Sequence, residues 1–253
     1  MSTPNPRRFL LGSRRLRRAR VFRRNYRCEL IESLEPRTLL ANVSWILAGN
    51  GDWNTAANWS TGKVPGAGDD VNLDGPSGSY VITYSSGTSA VNSINGSKDQ
   101  LSLTGGSLEV DAASEFDGTL NLSGGTLVAN GEITLKGNNS WSGSTISGTA
   151  DVSNDGVMTI GASTAYLSGT WNNTGTLALG SGAQVSLSSG GLLNNQATGL
   201  IDLHDYSLPI VGTGAVNNAG TIRMSSGTNI NISVPVNNSA SGIIDVETGT
   251  LNA

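Results

Sequence analysis

The sequence predicts an all-β protein, a right-handed parallel β-helix (β-solenoid) with coils of roughly 20 residues, preceded by a basic N-terminal arm. Three observations carry this prediction. The first is a repeat between Asp151 and Val246. Its five lines are Val152-Ser-Asn-Asp-Gly-Val-Met-Thr-Ile160, Trp171-Asn-Asn-Thr-Gly-Thr-Leu-Ala-Leu179, Leu193-Asn-Asn-Gln-Ala-Thr-Gly-Leu-Ile-Asp-Leu203, Val216-Asn-Asn-Ala-Gly-Thr-Ile-Arg-Met224 and Val236-Asn-Asn-Ser-Ala-Ser-Gly-Ile-Ile-Asp-Val246. Each joins an apolar residue, an Asn pair or Asn-Asp, a Gly and an alternating apolar strand. The first Asn of each line falls at 154, 172, 194, 217 and 237, giving steps of 18, 22, 23 and 20. Short strands recurring at such a period belong to stacked repeats.

The second observation is composition. Glycine makes up 34 of the 253 residues and charge only 13%, which would suit a flexible linker. The regular Leu/Ile/Val alternation after Asn42 argues against one, because a linker has no buried face to pattern. The third is turn chemistry. Two-residue hairpins favour Asn-Gly, yet within the repeats that dipeptide occurs only at Asn95-Gly96 and Asn130-Gly131. Parallel stacking, with Leu on Leu and Asn on Asn, fits the recurring corners better than a sandwich does.

In chain order the arm comes first. Residues 1–41 hold eleven of the fifteen basic residues against three acids, a balance of +8. Residues 42–253 hold four basic residues and sixteen acids, a balance of −12. A basic arm on an acidic body implies two separate roles. The apolar residues Leu16, Ala19, Phe22, Leu30, Ile31 and Leu34 sit near helical spacing, and Pro36 stops a helix there. No uninterrupted apolar core follows, as a standard signal peptide requires. The single cysteine, Cys28, lies in this arm, so the body contains no disulfide.

The arm ends in Leu34-Glu35-Pro36-Arg37-Thr38-Leu39-Leu40. An Arg-rich leader closing on Leu-Glu-Pro-Arg-x-Leu-Leu resembles the N-terminal motif of large exported surface proteins of planctomycete-type bacteria. All six fixed positions (Leu34, Glu35, Pro36, Arg37, Leu39 and Leu40) are present. The resemblance implies export or sorting to the envelope, with the leader removed near Ala41, and implies no catalytic activity. Nucleic-acid binding by the arginines is the weaker reading, since the acidic body repels phosphate and only Phe22 and Tyr26 offer stacking surfaces.

Residues 42–75 form an opening segment with three of the five tryptophans, Trp45, Trp53 and Trp59. Gly51-Asp-Trp53, Asn58-Trp59, Gly62-Lys-Val-Pro65 and Asp69-Asp70 resemble the opening module of bacterial β-helical adhesins and autotransporter-like passenger domains. Large rings cover the open end of a solenoid, whose edge would otherwise expose apolar side chains and unpaired strands. Trp53 and Trp59 are therefore expected to cap, with a sugar-stacking platform as the alternative.

Coils fill residues 76–253. Leu101-Ser-Leu-Thr-Gly-Gly-Ser-Leu-Glu-Val110 and Leu120-Asn-Leu-Ser-Gly-Gly-Thr-Leu-Val-Ala129 match at a step of 19, each Gly pair turning the chain between two strands. Ile230-Asn-Ile-Ser-Val-Pro-Val236 alternates without a break, Pro235 marking an irregular coil. About eight or nine coils with ~4.8 Å of rise each give a rod of ~40 Å. The final Gly249-Thr-Leu251 starts another strand two residues before the last, which suggests a longer repeat protein or end-to-end association of copies.

Candidate chemistry is sparse. His204 is the single histidine, flanked by Asp202 and Asp205; a solvent-facing pair on a coil is the expected state of Asp202 and His204. Asp69, Asp70 and Asp74 form a candidate weak calcium site, though a solvated turn suits them better. No cofactor motif or apolar transmembrane run occurs. The functional expectation is a non-catalytic, exported cell-surface solenoid, adhesin-like or structural, with extracellular polysaccharide or other envelope proteins as partners. The alternative is a polysaccharide-binding or polysaccharide-degrading β-helix, the degrading form needing clustered carboxylates.

Overall fold

The computed structural model describes residues 41–253, and the leader motif at 34–40 lies outside them. The described chain is a parallel β-solenoid with three faces. The first face stacks ten strands, from Asn42–Ser44 through Asp70–Asn72, Ser93–Gly96, Ser114–Phe116, Ile133–Leu135, Asp151–Asn154, Thr170–Asn173, Leu192–Asn195 and Ala215–Asn218 to Val236–Asn238. The second face runs from Gly51–Asp52 and Val81–Tyr84 to Ile243–Val246, and the third from Thr88–Val91 to Ile210–Gly212. Asn229–Asn231 and Thr250–Asn252 continue the third face through a parallel bridge between Ile210 and Ile232.

Period-2 alternation produces this shape directly. Along Thr176–Leu179, Leu177 and Leu179 are buried while Thr176 and Ala178 are half-exposed. In-register stacking then sets Met158, Leu177 and Ile201 one above another, and Ile160, Leu179 and Leu203 beside them. Three such faces enclose one continuous apolar core along the axis.

The paired glycines act differently from the expected break between two strands. Gln100–Val110 and Thr119–Ala129 are each one eleven-residue strand, bent from the second face into the third. Gly106 and Gly125 sit at that bend with φ of 74° and 72°, a left-handed conformation that a side chain would strain. A Cβ at Gly125 would also run into the backbone carbonyl of Gly106 one coil earlier. The alternation at 230–236 likewise turns a corner: Asn229–Asn231 lies on the third face and Val236–Asn238 on the first.

The opening segment is itself solenoid. Asn42–Ser44 pairs with Asp70–Asn72 as the first rung of the first face, so no structural break falls at residue 75. The free edge of that rung is covered by an antiparallel stretch, in which Ser60 N–H donates to the Ser44 carbonyl and Ile46 N–H to Asn58, both at 2.9 Å. Trp45, Trp53 and Trp59 pack edge-to-face beneath it, with centroids 5.1 and 4.8 Å apart. At the other end, Ile244 and Val246 stand in register with the buried Ile222 and Met224 yet are each 43% exposed.

Candidate functional site

One outward row runs the whole length of the first face. Ser44, Asn72, Asn95, Glu115, Thr134, Ser153, Asn172, Asn194, Asn217 and Asn237 are linked rung by rung in the pairing register. The rungs place these side chains ~4.8 Å apart along the axis. From Asn172 onward the amides hydrogen-bond to each other: Asn194 Nδ2 donates to Asn172 Oδ1 at 2.9 Å, Asn217 to Asn194 at 2.8 Å and Asn237 to Asn217 at 2.9 Å. Asn172 in turn donates to Asp151 at 2.8 Å.

A second asparagine ladder lies inside the same strands. Asn154, Asn173, Asn195 and Asn218 are buried. Each donates Nδ2–H to the Oδ1 of the next, ending on Asn238, at 2.7, 2.9, 2.7 and 2.7 Å. The two ladders therefore point in opposite directions along the axis. Each inner amide also donates across the corner, as Asn195 does to the carbonyls of Gly199 and Thr221. This explains the glycine that follows the last three Asn pairs, while at Gly175 the close neighbour is the Gly156 carbonyl one coil earlier. A Cβ at Gly199 would collide with the Asn195 amide, and one at Gly242 with Asn238.

The inner ladder also corrects the repeat spacing. Asn154 stacks on Asn173, and Ser153 takes the outward place below Asn172, so the first step is 19 residues rather than 18. Asn154 begins the ladder because the residue in register one coil earlier is Leu135. Leucine has no donor to offer, and Asn154 Oδ1 is left buried without a partner.

Two grooves on the surface of the described residues border this outward row. The larger, about 610 Å³, lies over the first coils against Ser44, Asp70, Asn72, Asp74, Asn95 and Glu115. The smaller, about 160 Å³, lies over Asn194, Asn217, Asn237 and Ser239. The larger is acidic, with Lys136 paired to Glu115 at its margin. Two of its aspartates are occupied by local donors: Asp70 Oδ1 accepts from Asn92 and Ser93, each at 2.7 Å. Asp74 accepts from the Ser97 and Lys98 backbones and the Ser97 hydroxyl. Hydrogen bonds from Ser93 and Asn92 hold the Asp70 carboxyl below the ordinary carboxylate value. Asp69 turns to the Gly66 N–H, and no group of three or more metal-ligating side chains converges among the described residues.

Trp53 and Trp59 are 0% and 1% exposed. A sugar ring has no free face on which to stack there. Trp59 Nε1 donates to the Trp53 carbonyl at 2.7 Å, tying the two rings to the opening coil.

Of the Asp202–His204 pair, His204 is solvent-facing as expected, with its side chain 41% exposed, and Asp202 is not. The Asp202 side chain is only 11% exposed, beneath Arg223 from the next coil. Arg223 Nη2 reaches Oδ2 at 2.6 Å and Nε reaches Oδ1 at 3.3 Å, while the Ser225 hydroxyl donates to Oδ1 at 2.7 Å. Burial pushes this carboxyl up, but the Arg223 and Ser225 hydrogen bonds and the charges of Arg223 and His204 outweigh it and leave the pKa lowered. A register shift between Leu203 and His204 brings the imidazole back over the pair. Its Nε2 lies 3.3 Å from Asp202 and 3.2 Å from Ser225, and Nδ1 faces Ser226 at 3.4 Å. The carboxylate and the Ser226 hydroxyl thus lie on opposite ring nitrogens, the order of a relay, but the Asp202 carboxylate is already engaged by Arg223 and Ser225, which tie it to the next coil.

Among the described residues, no helix is long and apolar enough to cross a membrane. Comparison with family models, with curated proteins and with solved structures gives no match for this chain.

Proposed function

We propose that this chain is an exported, non-catalytic β-solenoid that acts at the cell surface or in the outer envelope as a stiff display rod. The observation that carries the reading is the continuous polar row of the first face, in which ten successive coils present one hydrogen-bonding side chain each. Repetition of one weak contact along a rigid axis is the mechanism of a multivalent adhesin or matrix element. The polar clusters described above serve the coil-to-coil stack. Asp202 is neutralised by Arg223, and Asp70 and Asp74 hold neighbouring turns. The acidic body and the Leu34-Glu35-Pro36-Arg37 motif support export over a cytoplasmic nucleic-acid role.

The test is location. An antibody against the body should label intact cells without permeabilisation, and replacing Glu35, Pro36 and Arg37 together by Ala should move the protein to the cytoplasmic fraction. Cytoplasmic retention of the wild-type chain would refute the reading.

A further inference from the structure

We infer that the outer surface of the first face is a track for a neutral polysaccharide, laid along the solenoid axis with successive sugars on successive coils. The inference deepens the display reading and rests on it for where the ligand is met.

The chemistry of the row selects the ligand. Asn194 and Asn217 each use one N–H and one lone pair of the amide oxygen within the outer ladder. A carboxamide has two donors and two acceptor sites, so each retains one of both kinds for a partner. Sugar hydroxyls, which donate and accept in the same group, match that pairing. A pyranose unit in an extended β-1,4-linked chain advances by close to one coil's rise, so a chain parallel to the axis stays in phase with the row over several rungs. The two grooves, at the first coils and at the last, both open on this line.

Other polymers fit less well. The row carries no Lys or Arg, and Asp70, Asp74 and Asp117 flank Glu115 in the larger groove, so a polyanion is repelled. An extended peptide binds a sheet by adding to a free edge, but the backbone groups of this face are spent on the neighbouring coils. The row also has no aromatic residue, so affinity comes from many hydrogen bonds of small individual worth. Dependence on ligand length is therefore the signature to seek.

Calorimetry on the full chain tests this with neutral oligomers of two to six sugars (β-1,4-glucose, β-1,4-N-acetylglucosamine, β-1,4-xylose and β-1,3-glucose) and with hexagalacturonate and a polar hexapeptide. We expect at least one neutral series to gain tenfold or more between dimer and hexamer, with the anionic hexamer at least tenfold weaker. Asn194→Leu with Asn217→Leu should weaken hexamer binding at least tenfold or remove one bound hexamer per chain, and so should Asn95→Leu with Asn72→Leu at the other groove. Thr159→Leu, outward on the second face, should leave it unchanged. Both first-face variants must keep the wild-type circular dichroism spectrum, and either one that does so serves as the probe. Absence of binding by every neutral series, a preference for the anion or peptide, or equal loss in Thr159→Leu would overturn the track. Those results would leave surface location untouched, while a cytoplasmic chain that binds the hexamer would overturn the display reading alone.

Discussion

Asn194 and Asn195 are neighbours in sequence and lie on opposite sides of one strand. Asn194 is half-exposed and bonds along the outer ladder, with water free to replace either partner. Asn195 is buried, and its amide serves Asn218, Gly199, Thr221 and Asn173 together. Removing an outer amide exchanges one protein partner for water, whereas removing an inner one strands several buried groups. Asn195→Ala should therefore cost about 2 to 4 kcal/mol and Asn194→Ala less than about 1 kcal/mol. Urea melts of the two variants check this; similar costs would contradict the assignment of inside and outside. The sequence pattern of an apolar residue, two asparagines and a glycine was enough to place the strand and its corner. It was not enough to say which asparagine faces in where Ser153 replaces the first, because alternation alone fixes the faces only relative to one another.

At the scale of a strand, the pair formed by Leu200–His204 and Thr221–Ser226 is joined by charge as well as by its ladder. The lowered Asp202 pKa gives the sign of its pH dependence. A carboxyl more acidic folded than unfolded contributes stability above its unfolded value of about 3.9, and that contribution is lost as pH falls through the folded value. The stability gap between wild type and Asp202→Asn should thus be full at pH 6 and shrink steadily below about pH 4. Chemical denaturation at pH 6, 4 and 2.5 would show this, and a gap that widened in acid would contradict it. This pair was illegible in the sequence for a physical reason. Arg223 and Ser225 lie 21 and 23 residues from Asp202, and only the coil length, with the register shift at His204, brings them together. The bent strands at Gly106 and Gly125 escaped for a related reason: a glycine pair reads as a turn, while the sheet keeps its hydrogen bonding on both sides of the bend.

At the scale of the molecule, stability comes from repetition, and the proposed display role rests on the same repetition. Each coil buries its apolar side chains against the next and cannot do so alone. Antiparallel cover and three packed tryptophans close the opening coil. The coil period, all-β class and parallel stacking were readable from spacing, since a solenoid's contacts recur at one sequence separation. The grooves were not, because they depend on how outward side chains from four coils stand together. The outward row stands as a straight, evenly spaced line of side chains, the geometry that the proposed display role requires, and spin-label distances measure it directly. Residues 42–253 contain no cysteine, so labels can be placed at will once Cys28 is replaced by Ser. With one label at Asn95→Cys and the other at Asn172→Cys, Asn217→Cys or Asn237→Cys, the sites are four, six and seven coils apart in register. Pulsed electron resonance should then give mean separations rising in proportion, roughly 19, 29 and 34 Å between backbone sites. Separations that fail to increase with coil number, or that converge on one value, would contradict the stacked row and the display function proposed from it.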